Sequence, residues 1–375
     1  MRAIITGGGT GGHVYPALAI VDALKDMAPN IQLLYVGSMR GMERDLVRGI
    51  PAMQVRFLEV SGLVRKHPRD MLTGVVRALR AWWRARGLVK SFRPDVIIGT
   101  GGYVSGPVVL AGAQAGVPVV LQEQNAYPGM TNRWLARWAA HVCVAFAPAQ
   151  PFFARARAVT VTGNPVRQEF ARLERRKARE SLGVGEGEKL LLIAGGSLGA
   201  QVIADTALAL LRHREWDERN KVLLATGKNY YDYIMEEMAK SSIKVGENGN
   251  VMVRPYIHDM PTAMVAADLA LCRAGAVTVS ELAVCGLPAV LIPSPNVAHN
   301  EQEYNARVLV DAGAGVMITE EGSKAAQAAL PVVMELLQDR SRMELMRKKC
   351  LEQAKPDAAR TIARIALECA TKRLP

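Results

Sequence analysis

The chain has 375 residues, half of them hydrophobic and only 5% aromatic, with a formal net charge of +12. That length suits two ordinary domains, and the basic excess favours acidic partners such as phosphorylated substrates or anionic lipid. The five cysteines (Cys143, Cys272, Cys285, Cys350 and Cys369) show no metal-ligand spacing and, being odd in number, no disulfide framework; the opening apolar run is too short for a signal peptide, and no run of about 18 apolar residues predicts a membrane span.

In chain order, the N-terminal part alternates apolar strands with helical patterns. The predicted strands are Ala3–Thr6, Gln32–Val36, Met53–Phe57, Asp95–Gly99, Val117–Leu121 and His141–Val144. Such alternation implies a parallel sheet wrapped by helices. The first strand runs into Gly7-Gly8-Gly9-Thr10-Gly11-Gly12-His13. A glycine loop between strand and helix is an anion cradle, because N–H groups and the positive helix end face the ligand and no Cβ blocks its approach. This loop lacks the Lys-Ser/Thr of a Walker A motif. It also lacks an acidic residue at the end of the second strand, which reads Val36-Gly37-Ser38. NTP hydrolysis and nicotinamide or flavin chemistry are therefore disfavoured. His13 sits where the loop enters the helix and suits either a general base or a binding and capping residue.

Residues 65–93 hold nine Lys/Arg against one acid, Asp70. Leu72, Val75, Val76, Leu79 and Trp83 share one helical face, and Trp82 adjoins it. An apolar face with tryptophans and basic flanks describes a helix on an anionic membrane surface. The alternative is a core-facing amphipathic helix with a solvated basic side.

The fourth predicted strand repeats the first loop's phrase. Thr10-Gly11-Gly12-His13-Val14 becomes Thr100-Gly101-Gly102-Tyr103-Val104. Two such loops in one Rossmann-like half suggest a diphosphate beyond an ordinary nucleotide. After the fifth strand, Gln122-Glu123-Gln124-Asn125 offers amides that suit sugar hydroxyls. Thr162-Gly163-Asn164-Pro165-Val166-Arg167 reads as a hinge, and Arg172–Glu180 as an exposed helix opening a second domain.

A second strand series follows: Leu190–Ala194, Val222–Thr226, Val251–Arg254, Leu269–Cys272, Ala289–Pro293 and Gly315–Ile318. Its first strand ends in a third glycine loop, Gly195-Gly196-Ser197-Leu198-Gly199-Ala200. Its fourth runs into Arg273-Ala274-Gly275-Ala276-Val277-Thr278-Val279-Ser280-Glu281, whose backbone amides suit a diphosphate. Glu281 suits two ribose hydroxyls or, more plainly, a helix dipole. His299-Asn300-Glu301-Gln302-Glu303-Tyr304-Asn305 is a polar cluster before a helix. A last helix starts near Pro356-Asp357. The expected domains are 1–163, 164–355 and a terminal helix 356–375 packing back on the first. The fold class is α/β, two Rossmann-like domains with ligands in an interdomain cleft at the strand C-termini.

These motifs, in order and over nearly the whole chain, resemble the MurG family of bacterial N-acetylglucosaminyltransferases, which convert lipid I to lipid II in peptidoglycan synthesis. The matching stretches are 8–17, 99–107, 123–125, 163–167, 195–197, 273–281, and Gln302 with Asn305. The resemblance implies GT-B architecture and an inverting transfer of GlcNAc from UDP-GlcNAc to the C4 hydroxyl of MurNAc in lipid I. The N-terminal domain would hold lipid I, its diphosphate at Gly11, Gly12, His13, Gly101, Gly102 and Tyr103. The C-terminal domain would hold UDP-GlcNAc. Arg167 and Ile257 would bracket uracil, Ser197 and Ala276, Val277 and Thr278 would meet the diphosphate, Glu281 the ribose and Gln302 the sugar. Thr10, Gly11, Gly12 and Asn125 are counted with the donor contacts too. His13 is the expected base or acceptor-positioning residue, with Asn125 and Tyr103 lining the acceptor side.

No tightly bound metal is expected, because a helix end can neutralise the leaving diphosphate. Expected partners are UDP-GlcNAc, lipid I, the anionic inner membrane surface through Leu72, Val75, Leu79, Trp82 and Trp83, and proteins of cell-wall synthesis and division, with no nucleic acid. The expected location is the cytoplasmic face of the bacterial cell membrane, peripherally bound. Relatives often carry His at position 122, so Gln122 is not an essential acid or base here. Other readings are a different GT-B glycolipid or natural-product transferase, a UDP-GlcNAc 2-epimerase, and a non-catalytic sugar-nucleotide scaffold.

Overall fold

The computed structural model describes residues 1–39, 43–47, 50–51, 53–60, 68–196, 198–213, 216–217, 219–246, 249–322 and 324–372. The chain divides into two compact units, Met1–Arg167 with Lys355–Pro375, and Gln168–Ala354. The first boundary lies four residues beyond the expected Gly163, so the whole Gly-Asn-Pro turn stays with the first unit.

Unit 1 holds a seven-stranded sheet: β1 (Arg2–Gly7), β2 (Gln32–Ser38), β3 (Met53–Leu58), β4 (Val96–Gly101), β5 (Val119–Glu123), β6 (His141–Val144) and β7 (Val159–Val161). Their order is β3-β2-β1-β4-β5-β6-β7, and every pairing is parallel. The apolar, β-branched centres of β1 and β4 are buried on both faces, as parallel sheets require. The sequence reading missed β7, whose three residues are only half-buried. Its helices are α1 (Gly11–Met27), α2 (Glu43–Leu46), α3 (Pro68–Phe92), α4 (Ser105–Gln114) and α5 (Met130–Leu135).

Unit 2 repeats the plan with β8 (Lys189–Ala194), β9 (Asn220–Ala225), β10 (Val251–Arg254), β11 (Leu269–Cys272), β12 (Ala289–Leu291) and β13 (Gly315–Met317) in the order β10-β9-β8-β11-β12-β13. Helices α6 (Arg175–Ser181), α7 (Gln201–Leu211), α8 (Tyr231–Lys240), α9 (Met260–Ala266), α10 (Ala276–Cys285), α11 (Glu301–Asp311), α12 (Lys324–Gln338) and α13 (Arg340–Glu352) belong to it. Helix α6 is less exposed than its charge suggested. Arg175 and Arg179 both reach Asp268, at 2.6 and 2.9 Å, which pins the helix beside β11.

The last helix, α14 (Ala358–Thr371), rejoins unit 1. Its apolar face of Ala359, Ile362, Ala363, Ala366 and Ala370 lies in one core with Ile5, Val14, Ala17 and Ile20 of β1 and α1. The small residues let the helices approach closely.

In each sheet the strand order reverses beside the first strand, between β1 and β4 and between β8 and β11. Ligands in open α/β sheets bind at such switch points, outside the strand carboxyl ends. All four motif loops leave from these strand ends. Two Rossmann-like units of this kind constitute a GT-B fold.

Helix α3 carries two stripes. Ala81, Ala85 and Val89 are buried and face the core, while Leu79 and Trp83 are 54% and 65% exposed. The helix is thus both core-packed and apolar outward. Trp82 corrects the expected outer face: it is half-buried against the core and its Nε1 donates to Gln114 Oε1 at 3.0 Å. Leu72 and Val75 lie on this helix, but their side chains fall outside the described residues. Among the described residues, no helix is long and apolar enough to cross a membrane.

Candidate active site

The duplicated phrase becomes one structure. Because β1 and β4 are neighbours, with Gly7 opposite Gly101, their loops meet. Thr100 Oγ1 donates to the His13 carbonyl oxygen at 2.8 Å. Gly101 and Gly102 take φ of +103° and +79°. A Cβ on Gly102 would overlap the Gly8 carbonyl oxygen, and one on Gly101 would lie 2.9 Å from His13 Nδ1. The glycines therefore seat one loop on the other and bring the second loop against the imidazole.

Not every loop amide is left for a phosphate. The Gly9 N–H donates to Glu43 Oε2 at 3.0 Å, and Ser38 N–H donates to Glu43 Oε1 at 2.7 Å. Glu43 is fully buried. It is a carboxylate after the second strand that the sequence reading did not single out, and it turns inward to brace the loop rather than outward to a ribose. The Gly101 N–H is likewise taken, by Ser105 Oγ at 3.2 Å, so Gly101 contributes room and not a donor. At the start of α1, the N–H groups of Gly11 and Gly12 have no partner among the described residues, and Thr10 gives no side-chain cap. An uncapped helix start with free N–H groups suits an anion.

His13 is half-buried. Its Nδ1 lies 3.1 Å from Gln124 Oε1. Loss of water holds its pKa below the ordinary 6.5, partly offset by the Gln124 side chain, the Thr100 backbone carbonyl and the charge of Glu43. A ring kept neutral near pH 7 has the lone pair that a general base needs. Glu123 is buried, and its carboxylate accepts from Asn125 N, Gly129 N and Asn132 Nδ2 at 2.9, 3.2 and 2.9 Å. Burial nevertheless pushes its pKa up to about 7. Glu123 clamps the turn that presents the half-buried Asn125. Tyr103 is 64% exposed at the loop tip. Arg167 stacks on Tyr15 of α1, 6.0 Å from the ring centre, which places this expected donor contact in unit 1.

In unit 2 the third glycine loop leaves β8 and a second segment leaves β11. Gly199 and Gly227, both at positive φ, press backbone on backbone, so the Thr226-Gly227 turn after β9 supports the third loop. The sequence reading missed Gly227; its signal was another glycine just past a strand. Ser197 lies outside the described residues. Ala276, Val277 and Thr278 form the first turn of α10, whose N-cap Gly275 gives no side-chain bond. Glu281 is buried in the second turn, beyond the reach of a first-turn dipole role. Ile257 is buried after β10. Gln302, on the first turn of α11, accepts the Ser294 N–H through Oε1 at 2.9 Å. Asn305 is buried and donates to the Ala274 carbonyl at 3.3 Å, bracing the segment before α10. Arg273 is committed to Glu320 and to the Ile292 carbonyl, a structural role.

A further feature lay outside the sequence reading. Arg137 stacks on Trp134 and Trp138, and Arg133 on Tyr127 and Phe152, with guanidinium-to-ring distances of 5.1 to 5.8 Å. These aromatic–cation pairs lie on and beside α5. The signal was the i,i+4 repeat of Arg133/Arg137 and Trp134/Trp138.

Residues 3–144 match the glycosyltransferase family 28 N-terminal domain, and residues 190–362 its C-terminal domain. A relative from Desulforamulus reducens, named UDP-N-acetylglucosamine–N-acetylmuramyl-(pentapeptide) pyrophosphoryl-undecaprenol N-acetylglucosamine transferase, is 42% identical over all of this chain and 99% of its own. A relative of the same name from Symbiobacterium thermophilum is 43% identical over 97% of this chain and 95% of its own. The crystal structure of Acinetobacter baumannii MurG superposes with a TM-score of 0.78 at 28% identity, covering 98% of this chain and 99% of that one. The UDP-GlcNAc 2-epimerase of Neisseria meningitidis, at 14% identity and a TM-score of 0.68 over 99% of this chain and 100% of that one, shares the fold alone. With full-length relatives above 40% identity and both domain matches in order, the chain belongs to the family of UDP-N-acetylglucosamine–N-acetylmuramyl-(pentapeptide) pyrophosphoryl-undecaprenol N-acetylglucosamine transferases, within glycosyltransferase family 28.

Proposed function

We infer that the chain is a hexosyltransferase that moves GlcNAc from UDP-GlcNAc to the MurNAc unit of MurNAc-pentapeptide pyrophosphoryl-undecaprenol, giving lipid II and UDP. The observation that carries this reading is the pair of interlocked glycine loops around His13, in a chain whose full-length relatives are named for transfer to a pyrophosphoryl lipid. Unit 1 takes the acceptor, its diphosphate at the start of α1 and the tip of the second loop. Unit 2 takes UDP-GlcNAc, with Ala276, Val277 and Thr278 at the diphosphate, Glu281 at the ribose and Gln302 at the sugar. Oε1 of Gln302 is already occupied by Ser294, so its Nε2 is the group that meets a sugar oxygen.

The reaction is a single displacement. The C4 hydroxyl of MurNAc forms a bond to the anomeric carbon as the bond to the diphosphate breaks, its electron pair leaving with UDP. The hydroxyl proton goes to His13. The α-linked donor then yields a β-1,4 product. Backbone N–H groups and the positive end of α10 meet the charge on the leaving diphosphate, so the proposal includes no resident metal. The test is transfer from labelled UDP-GlcNAc to a lipid I analogue. A labelled disaccharide lipid is the expected product, and free GlcNAc or an epimerised sugar nucleotide in its place would sink the reading.

The acceptor is lipid-borne, and α3 offers unit 1 an outward stripe of Leu79 and Trp83 flanked by Arg80, Arg84 and Arg86. Peripheral binding to anionic membrane is the reading that this combination supports. Replacing exposed Trp83 with Ser is expected to weaken sedimentation with phosphatidylglycerol vesicles several-fold and leave the unfolding midpoint unchanged. Replacing Trp82 is expected to lower the midpoint instead, because that ring packs inward. Equal effects of the two substitutions on vesicle binding would contradict the two-stripe assignment.

A further inference from the structure

Three buried amides lead to His13. Gln122, Gln124 and Asn164 are each at most 2% exposed. Asn164 Nδ2 donates to the Gln124 carbonyl oxygen at 3.1 Å. A backbone carbonyl only accepts, so that bond fixes which way the Asn164 amide faces. Its Oδ1 then accepts from Gln122 Nε2 at 3.0 Å. Gln122 in turn presents Oε1 to Gln124 Nε2. The same Gln124 nitrogen faces the Thr100 carbonyl oxygen at 2.6 Å and the Gln122 carbonyl oxygen at 3.4 Å. Three oxygens thus surround it, and the reversed amide would set oxygen against oxygen at each. Only Gln124 Oε1 is left for the imidazole, at 3.1 Å from Nδ1.

We propose that Asn164, Gln122 and Gln124 form a one-way amide chain that holds His13 as the Nδ1–H tautomer, so that Nε2 carries the lone pair. An acceptor oxygen on Nδ1 forces that nitrogen to be the donor, and the hydrogen bond of one ring nitrogen sets the state of the other. The three amides are positioning residues. They touch no substrate and act by fixing the end from which the ring accepts a proton. The chain is polar along its whole length, and each link depends on the one before it. It also gives the hinge-like Gly163-Asn164-Pro165 turn a second task, since Asn164 starts the chain. Gln122 serves as an amide that both donates and accepts, which no acid or base role would require.

The proposal adds to the reading of His13 as base, and its first test needs no substrate. Two-bond proton–nitrogen correlation spectra are recorded on histidine-labelled full-length protein at pH 8, with the His13 signals assigned by their loss in His13→Ala. The expected spectrum shows a protonated Nδ1 and a bare Nε2, the reverse of the form that free imidazoles favour. In Gln124→Leu the Nε2–H form is expected to return, with kcat down at least tenfold and KM for UDP-GlcNAc unchanged. In Gln124→Glu an oxygen replaces the nitrogen that faces three oxygens, so the buried acid is expected to keep its proton on that side and to offer its other oxygen to Nδ1, which retains Nδ1–H. A wild-type His13 bearing its proton on Nε2 overturns the proposal, and so does a Gln124→Leu protein that folds and keeps Nδ1–H. The wild-type spectrum decides even if the leucine variant fails to fold. A His13→Ala enzyme with undiminished turnover would remove the base reading and leave the tautomer assignment standing.

Discussion

Replacing His13 with Ala is expected to cut turnover by about 10²–10⁴-fold, the usual worth of a positioned general base, and to leave UDP-GlcNAc binding within about twofold. The two parts of this result have separate causes. His13 belongs to unit 1, where its ring meets Gln124 and the second glycine loop, and the proposed donor contacts at Ala276–Thr278 and Glu281 belong to unit 2. Loss of the ring removes a proton acceptor and leaves the backbone of α1 in place, since the His13 carbonyl still accepts from Thr100 Oγ1. The pH profile gives an independent reading. A base must be neutral, and burial lowers the His13 pKa from its ordinary 6.5. The wild-type acid limb is therefore expected below pH 6.5 and is expected to vanish in the variant. Turnover within a few-fold of wild type, with the acid limb retained, would place the base elsewhere.

Much of this fold is written locally. Short apolar runs, several of them ending in glycine, located all but one of the strands to within a few residues, because a central strand buried on both faces must be apolar throughout. The exception, β7, is a half-buried edge strand of three residues; its β-branched Val159-Thr160-Val161 was the available signal, but it runs straight into the turn that starts at Thr162. The glycine loops were legible for the same reason: a positive φ or a close backbone approach leaves glycine as the residue that fits. What the sequence does not spell out is which loop meets which. The repeated Thr-Gly-Gly phrase is split by the long span from β1 to β4, and only the parallel pairing of those strands places Gly102 on Gly8 and Thr100 on the His13 carbonyl. The inward-facing Glu43 was hidden for a related reason. A search for an acid at the end of β2 expects one that reaches outward to a ribose, whereas this one lies five residues past Ser38 and turns back to the loop's own amides. Trp82 and Trp83 show the limit of helical periodicity. Their rings still meet edge to face, with centroids 5.6 Å apart, and only the packing of α3 on α4 decides which of the two is drawn inward.

The second large effect is expected from a single methyl group. Gly102→Ala places a Cβ on the Gly8 carbonyl oxygen, a backbone atom that cannot swing aside, at a φ of +79°. A side chain in that backbone region costs about 1–2 kcal/mol by itself, and the overlap adds to it, because the packed loops must part to relieve it. Gly9→Ala is the matched control. Its φ of +93° carries a similar backbone cost, but nothing lies within 4 Å of the added Cβ. The expected result is a loss of about 3 kcal/mol or more for Gly102→Ala, strain and overpacking together, against about 1–2 kcal/mol for Gly9→Ala, read from denaturant midpoints. Transfer activity should follow the same order, with Gly102→Ala falling at least a hundredfold. Parting the loops pulls Thr100 from the His13 carbonyl and Gly101 from the imidazole, so the damage reaches the base without touching it. If the two alanine variants proved equally stable and equally active, the loops would not bear on each other, and the repeated phrase would be two separate turns rather than one acceptor site.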